Sequence, residues 1–252
     1  MHFDLVMTTQ VTFMAALLAM LGGAYYFSLM KSAVPIEYQS SVATSAVYCF
    51  MASLMYAYMN YKYGLGTDTL QAGQYPTVLR YIDWIVTTPL IVLKFPQLLG
   101  NDDKGSAIAT LVIVADVMMI LFGYIGETSI NASRASAEFN LIGFAMFGVS
   151  MLAWLFILFI LYSTVTEASA DKLGPIQAGL SKLKLFILIG WAIYPLGYII
   201  TLISNNPDLR LYRELIYNIA DLFNKVGFGM VALFAVQQFV KEAQIRQALS
   251  DI

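Results

Sequence analysis

The chain has 252 residues, of which 59% are hydrophobic and only 12% are charged. A soluble domain of this size is roughly half apolar and about a quarter charged, so the composition excludes an ordinary soluble domain and indicates an integral membrane protein. The formal net charge of −2 argues against a nucleic-acid partner. The single cysteine and the single histidine, Cys49 and His2, give no basis for a disulfide framework or for a metal site built from those residues.

Seven apolar segments are each long enough to cross a hydrocarbon core of about 30 Å as an α-helix. They are predicted at residues 9–31, 40–62, 76–98, 106–127, 138–163, 179–204 and 212–241. We therefore expect an all-α membrane protein in which residues 1–252 form one domain, a bundle of seven transmembrane helices. The outer surface of such a bundle would lie against the lipid bilayer.

The basic residues near the ends of these segments are unevenly distributed between the two sides. Seven lysines and arginines fall on the side of the C-terminus, and four fall on the opposite side: Lys62, Arg134, Arg210 and Arg213. Because cytoplasmic loops carry the excess of basic residues, we expect an external N-terminus and a cytoplasmic C-terminus.

The third segment contains charges within an apolar stretch. RYIDWIVTTPLIVLKFPQLL, residues 80–99, includes Arg80, Asp83 and Lys94. With 100° of rotation per helical residue, Asp83, Thr87 and Lys94 share one face, Lys94 lies ~16 Å along the axis from Asp83, and Arg80 lies on the adjoining stripe. Charges inside a membrane are costly unless they are paired or functional. This face is therefore predicted to point into the bundle, with snorkelling of Lys94 to the headgroups as the alternative.

Two further segments contain carboxylates. Asp116, in VIVADVMMILFG, is interpreted as a protonated carboxyl that is hydrogen-bonded to a neighbouring hydroxyl. Asp221 and Lys225 in the last segment are spaced i,i+4 on one face. They could form a buried ion pair that only fastens the bundle. Alternatively, Lys225 could have a lowered pKa in an apolar pocket and form an imine with a carbonyl compound, with Asp83 and Asp221 as candidate counterions.

Three spaced motifs resemble the signatures of the microbial (type 1) rhodopsins, seven-helix proteins that hold retinal on a lysine. They are RYIDWIVTTPL in the third segment, GWAIYPLGY in the sixth and DLFNK in the seventh. The correspondence covers essentially all seven segments, and GYIGE at 123–127 adds a similarity to the proteorhodopsins.

The resemblance implies that all-trans retinal is bound to Lys225 as a protonated Schiff base. Asp83 would be the primary counterion and proton acceptor, and Asp221 the second counterion. Arg80 would respond to charge changes on the exit side, and Thr87 would hydrogen-bond Asp83.

The resemblance also assigns a pocket. Thr88 would form a hydrogen bond with Asp116 between the third and fourth helices. Ile91 occupies the position at which, in proteorhodopsins, an apolar residue accompanies absorption of green light and a glutamine accompanies absorption of blue light. Green absorption is therefore expected. The residues implied to line the polyene are Tyr56, Trp84, Met119, Gly123, Trp191, Tyr194, Pro195 and Tyr198. Without the family motifs, these side chains would be interpreted as ordinary core packing.

Three positions distinguish the functions within this family, and this sequence has Asp83, Thr87 and Lys94 there. Chloride pumps lack a carboxylate at the first of these positions, and sodium pumps have Asn, Asp and Gln at the three positions. Neither pattern matches this sequence, so the resemblance implies a light-driven outward proton pump. Most such pumps have Asp or Glu at the third position; here Lys94 would be the cytoplasmic proton donor, as in a smaller proteorhodopsin-like group. Met55 stands where proteorhodopsins usually have a histidine paired with the counterion, so Asp83 lacks that partner.

Alternatives within the family are a photosensor with the same pocket and a light-gated channel. Outside the family, the alternative is a transporter or an enzyme that uses Lys225 without light. The resemblance implies a multi-pass protein of the plasma membrane that is not an enzyme, moves protons and forms a homo-oligomer, a trimer or a pentamer.

Overall fold

The computed structural model describes residues 4–65, 78–100, 103–133, 140–203 and 206–250. Within those ranges it has seven helical spans, which confirms the expected all-α membrane bundle. The spans are α1, Leu5–Met30; α2, Ile36–Leu65; α3, Val78–Val92 and Lys94–Leu99; α4, Asp103–Ser133; α5, Leu141–Tyr162; α6, Gly174–Leu185 and Ile193–Ile203; and α7, Pro207–Leu222 and Phe228–Ser250. A 3₁₀ turn, Lys31–Ala33, follows α1, and a short helix, Thr164–Ala168, follows α5.

Several helices extend beyond the predicted segments, because hydropathy detects only the part of a helix that lies in the hydrocarbon core. α1 begins at Leu5, where the Asp4 carboxylate accepts hydrogen bonds from the N–H groups of Val6 and Met7, both at 3.1 Å. At the other end of the chain, α7 continues to Ser250, past the predicted limit at 241. The predicted positions 76–77, 138–139 and 204, like Arg134, lie outside the described residues.

A break in α3 separates Asp83 from Lys94 and is absent from the sequence prediction. The helix is interrupted at Leu93. Pro96 has no N–H to donate to the carbonyl of Val92, so the regular hydrogen-bond pattern cannot continue there. The second part of α3 therefore starts anew at Lys94.

Two π-helical turns also went unpredicted. In α6, the turn Phe186–Gly190 is closed by the N–H of Trp191, which donates to the carbonyl of Phe186 at 3.0 Å. In α7, the π-helical turn Phe223–Gly227 contains Lys225. Such turns change the direction of backbone groups within a helix and are frequent at functional sites. The backbone that carries Lys225 is therefore displaced from regular helical register.

The spans form a closed ring. Consecutive helices pack against each other in chain order, and α7 closes the ring by packing on both α6 and α1. In the most apolar 18-residue stretch of each span, 61% of the residues are buried in α3 and 56% in α7. In α1 and in α5 the buried share is only 22%. The exposed large side chains of α1 and α5 suit contact with lipid, whereas α3 and α7 turn their polar side chains inward. The charges of these two helices therefore meet inside the bundle.

Candidate functional site

Lys225 lies at the centre of a buried charge cluster between α3 and α7. Its Nζ is 2.8 Å from Asp83 Oδ2 and 2.7 Å from Asp221 Oδ2. None of the three side chains is more than 2% exposed. One ammonium beside two carboxylates leaves a formal excess of one negative charge, so a buried cluster of this kind depends on further hydrogen-bond donors.

The two carboxylates differ in their other partners. Tyr56 OH donates to Asp221 Oδ2 at 2.8 Å, and Tyr194 OH donates to Asp221 Oδ1 at 2.5 Å. No hydrogen-bond partner of Asp83 Oδ1 is found among the described residues. Asp221 is therefore held through both oxygens, whereas Asp83 keeps one oxygen available as an acceptor.

The two threonines of α3 act differently from each other. Thr87 Oγ1 donates to the backbone carbonyl of Asp83 at 2.9 Å and not to its carboxylate, since a helical threonine readily bonds the carbonyl four residues back. Thr88 Oγ1 lies 2.8 Å from Asp116 Oδ2 and 2.8 Å from the carbonyl of Trp84. A hydroxyl has one proton and can donate it to only one of these two oxygens, so a proton on Asp116 would allow both contacts to be hydrogen bonds. This arrangement agrees with a protonated Asp116.

Arg80 reaches the N-terminal half of α7. Its Nε and NH2 lie 2.9 and 2.8 Å from Glu214 Oε2, and NH2 also donates to Asn218 Oδ1 at 2.6 Å. Its NH1 donates to Tyr56 OH at 2.9 Å. Tyr56 thus connects the guanidinium of Arg80 with the carboxylate of Asp221.

Glu214 belongs to a second buried ion cluster on this side of the bundle. Arg213 donates to Glu214 Oε1 through NH2 at 2.8 Å and to Glu127 Oε1 through NH1 at 2.9 Å. Glu127 in turn accepts a hydrogen bond from Tyr81 OH at 3.0 Å. With Arg80, the cluster contains two cations and two carboxylates among the described residues, whose formal charges balance.

Lys94 is fully buried between α2 and α3. Its Nζ donates to the backbone carbonyl of Ser41 and lies 3.3 Å from Ser41 Oγ. Its Nζ is also 5.7 Å from the centre of the Tyr48 ring. No carboxylate among the described residues forms a salt bridge with it. Snorkelling to the headgroups is therefore wrong for Lys94, whose ammonium is directed into the bundle.

A cavity bordered by Lys225 lies among α3, α4, α5, α6 and α7. Its empty space, counted together with its open mouth, is about 780 Å³. Trp84 and Tyr194 form part of the wall with their ring centroids 4.9 Å apart, and Trp191 contributes a second indole. Asp221 and Lys225 contribute charged groups to the wall. The cavity suits an apolar, flat molecule that can react with a lysine amine.

Residues 7–239 match the sequence profile of the bacteriorhodopsin-like proteins. The chain belongs to this family. The green-light absorbing proteorhodopsin of Gamma-proteobacterium EBAC31A08 is 30% identical over 226 residues, which cover 88% of this chain and 84% of the relative. Sensory rhodopsin-2 of Natronomonas pharaonis is 32% identical, over 62% of this chain and 60% of its own length. The crystal structure of Exiguobacterium sibiricum rhodopsin is 42% identical and superposes with a TM-score of 0.82, over 92% of this chain and 97% of that one.

These similarities and the seven spans identify a multi-pass membrane protein, a proteorhodopsin-like type 1 rhodopsin. Nearly all the residues expected around the polyene line the cavity of this rhodopsin: Trp84, Thr88, Ile91, Met119, Gly123, Trp191, Tyr194, Pro195 and Tyr198. Tyr56 is not among the residues that line it. Its hydroxyl instead bridges Asp221 and Arg80, so Tyr56 lies between the Lys225 charge cluster and Arg80.

Several site residues of this rhodopsin were missed by sequence reasoning. Glu214 and Asn218 bind Arg80, and Arg213, which had been counted as a basic residue at a helix end, is buried. A usable signal was present for two of them, because Glu214, Asn218, Asp221 and Lys225 recur every three or four residues on one face of α7. The α5 side chains that line the cavity, such as Ser150 and Trp154, lie in a uniformly apolar helix whose sequence does not reveal its inner face.

Proposed function

We propose that this rhodopsin is a light-driven outward proton pump with retinal attached to Lys225. The observation that carries the proposal is the position of the Lys225 amine, which is buried between two carboxylates at the wall of an aromatic cavity. Relatives named as green-light and blue-light absorbing proteorhodopsins support a photochemical role. The combination of Asp83, Thr87 and Lys94 supports protons as the transported ion.

The residues of the cavity suit retinal. Trp84, Trp191 and Tyr194 offer aromatic faces that pack well against a conjugated chain. Lysine amines condense with aldehydes to form imines, and Lys225 is the lysine that borders the cavity. Retinal would supply absorption of visible light and a light-driven change in the environment of the Lys225 nitrogen.

Asp83 is the proposed proton acceptor. Its Oδ2 is already 2.8 Å from Lys225 Nζ, within reach of a direct proton transfer. The charge of Asp221 is stabilised by two tyrosine hydroxyls, whereas Asp83 has an oxygen with no donor among the described residues. A proton that leaves Lys225 is therefore expected on Asp83, and Asp221 stays ionised beside the lysine.

Lys94 is the proposed cytoplasmic donor. Its ammonium is buried, hydrogen-bonded to Ser41 and has no salt bridge among the described residues. A buried cation without a counter-charge is costly. Transfer of its proton to the Lys225 nitrogen relieves that cost, and a proton from the cytoplasm then restores Lys94.

Arg80 and the cluster of Glu214, Arg213 and Glu127 form the proposed exit side. When the proton moves from the Lys225 nitrogen to Asp83, both groups become neutral, so Asp83 no longer attracts the guanidinium of Arg80, which stays bound to Glu214. A proton released from Asp83 then leaves outward past this balanced cluster. This direction assumes an external N-terminus and a cytoplasmic C-terminus.

The proposed setting is the plasma membrane, with the seven spans of residues 1–252 acting as one domain in contact with lipid. We further propose a homo-oligomer of three or five chains. The mass of the detergent-solubilised protein, measured by light scattering with the detergent subtracted, distinguishes a trimer or a pentamer from a monomer.

External pH measurements test the pump. Unbuffered cells that express the protein and are supplied with retinal should acidify the medium under illumination, and a protonophore should remove the signal. Cells with Asp83→Asn should give no acidification. A coloured protein without any pH signal would favour a photosensor, as in the sensory relatives. Light-induced alkalinisation would indicate inward transport or a channel and would contradict the proposal.

A further inference from the structure

Tyr48 of α2 lies between Lys94 and Lys225. It is fully buried. Lys94 Nζ is 5.7 Å from the centre of its ring, and its hydroxyl donates to the backbone carbonyl of Lys225 at 3.0 Å. One side chain therefore contacts both the proposed donor and the helical turn that carries the proposed proton-accepting nitrogen.

The contact with Lys225 falls in the π-helical turn of α7. The N–H of Phe228 is shared between the carbonyls of Phe223 and Lys225, so the regular pattern of bonds four residues apart is interrupted here. Tyr48 OH supplies an additional donor to the Lys225 carbonyl. A carbonyl held from outside its own helix fixes the position of that turn relative to α2.

Gly229 leaves the space in which this hydroxyl lies. A Cβ atom at Gly229 would stand 2.7 Å from Tyr48 OH, closer than real Cβ contacts come. A larger residue at this position of α7 would press against the Tyr48 hydroxyl and against the Phe27 ring, whose nearest atom would lie 2.6 Å from the added Cβ. The absence of a side chain at Gly229 thus leaves room on α7 for the hydrogen bond from Tyr48 to the Lys225 carbonyl.

The ring of Tyr48 contacts the ammonium group of Lys94. Lysine ammonium groups are attracted to the face of an aromatic ring within about 6 Å of its centre, and Lys94 meets that distance. Since Lys94 has no salt bridge among the described residues, the ring and Ser41 are the groups that hold its charge. Ser45 lies 3.4 Å from Tyr48 OH, which is long for a bond between hydroxyls, so it does not replace either contact.

We propose that Tyr48 is a positioning residue that holds Lys94 and the Lys225 turn in fixed register and so sets the rate at which the Lys225 nitrogen regains its proton. No proton passes through Tyr48 itself. The inference rests on the proposed pump, in which Lys94 is the donor. It gives α2 a role in proton transfer that is separate from the roles of the charged residues and of the cavity lining.

Flash photolysis of the retinal-loaded protein tests the kinetic part. Tyr48→Phe keeps the ring and removes the hydroxyl, and should slow reprotonation roughly 2- to 10-fold, as expected for the net loss of one hydrogen bond. Tyr48→Leu, which removes the ring as well, should be slower still. The matched control is Tyr63→Phe, because Tyr63 is also on α2 and also donates to a backbone carbonyl, that of Val6 at 3.1 Å.

Lys94→Ala separates this inference from the proposed function. Slow reprotonation in Lys94→Ala together with an unchanged rate in Tyr48→Phe overturns the role of Tyr48 and leaves the pump intact. An unchanged rate in Lys94→Ala overturns the proposed donor and, with it, the role of Tyr48.

Carbonyl NMR tests the contact without light or retinal. Lys225–Val226 is the only Lys-Val pair in the chain, so labelling lysine at the carbonyl carbon with ¹³C and valine with ¹⁵N isolates one signal in the full-length protein in lipid bilayers. Tyr48→Phe should move the Lys225 carbonyl resonance upfield, because the carbonyl loses a hydrogen bond, while Tyr63→Phe should leave it in place. An unmoved resonance in Tyr48→Phe overturns the inference.

Discussion

Lys225 and Lys94 are both buried lysines, yet their surroundings assign them different chemistry. Lys225 is paired with two carboxylates and borders the cavity, whereas Lys94 is held by a backbone carbonyl and an aromatic ring. A paired amine is stabilised as a cation, which suits a site where a positive charge must persist. An unpaired one suits a group that exchanges its proton.

Lys225→Ala should abolish the visible absorption band of the protein purified with retinal, because no amine then remains at the cavity wall to form the imine. Absorption spectra before and after the change provide the measurement. Lys184→Ala is the control, since Lys184 is also buried but bonds Thr166 at 2.7 Å, away from the cavity lining. A Lys225→Ala protein that is coloured and pumps would contradict the attachment site.

Lys94→Ala should leave the colour nearly unchanged and slow reprotonation of the Lys225 nitrogen by on the order of 10²-fold or more, the usual contribution of a positioned proton donor. Flash photolysis measures the rate. Lys184→Ala again serves as the control and should keep the wild-type rate. If the Lys94→Ala rate matches it, water supplies the proton and Lys94 is a structural residue.

Ile91 should tune the colour. Its side chain lines the cavity and is 1% exposed, so a polar replacement would act directly on the bound polyene. The wild-type protein should absorb green light, and Ile91→Gln should shift the absorption maximum towards the blue. Ile91→Leu, which keeps an apolar side chain of similar volume, should not. A blue maximum in the wild-type protein at neutral pH would count against this role.

At the level of the helices, α3 and α7 determine how the charged groups are arranged. In α7 the polar side chains Glu214, Asn218, Asp221 and Lys225 recur on one face, so a single helix supplies partners both to Arg80 and to the cavity. The π-helical turn changes the register of that face at Lys225. α3 supplies the opposing charges, and its break at Leu93 separates Asp83 from Lys94 into two helical pieces.

Arg213 should contribute to stability through its two carboxylate partners on α4 and α7. Arg213→Gln leaves Glu127 and Glu214 without that cation inside the bundle, and should lower the free energy of unfolding by about 3–5 kcal/mol. The matched control is Arg246→Gln, since Arg246 pairs with Glu242 at the exposed end of α7, where such a pair contributes at most about 0.5 kcal/mol. Unfolding in mixed micelles measures both. Equal effects would show that the buried cluster is energetically neutral.

At the scale of the whole molecule, α7 closes the ring against α1 and α6 and presents its charges to α3 across the interior. The lipid-facing side chains of α1 and α5 are exposed and apolar, while the inner faces of α3 and α7 contain the ion clusters. This separation allows charged groups to exist at membrane depth without contact with lipid. The two clusters, around Lys225 and around Arg213, are linked to each other by hydrogen bonds through Tyr56, Arg80 and Glu214.

The proposed orientation predicts which end of α7 is accessible from outside the cell. Asp208→Cys, at the first turn of α7, should react with a membrane-impermeant maleimide on intact cells, and Ser250→Cys should react only after permeabilisation. The native background is low, because the single cysteine, Cys49, is fully buried. The opposite labelling pattern would reverse the orientation and with it the direction of the proposed transport.

Local sequence patterns were enough to locate the seven spans, to group Asp83, Thr87 and Lys94 on one helical face, and to group Asp221 with Lys225 on another. Hydropathy and the 100° helical rotation are local properties of the chain, so they can be obtained from neighbouring residues alone. The family motifs added most of the cavity lining for the same reason, since each motif is a short continuous stretch.

The partner of each polar group is defined by the packing of the helices and not by the local sequence. Arg80 binds Glu214 at a separation of 134 residues, Tyr56 bonds Asp221 at 165, and Tyr48 reaches the Lys225 carbonyl at 177. Such contacts depend on how the helices are packed and rotated against each other, and no local pattern encodes a distance across the bundle. For the same reason, the sequence located Lys94 on the inner face of α3, but only packing against α2 put its ammonium beside Ser41 and Tyr48.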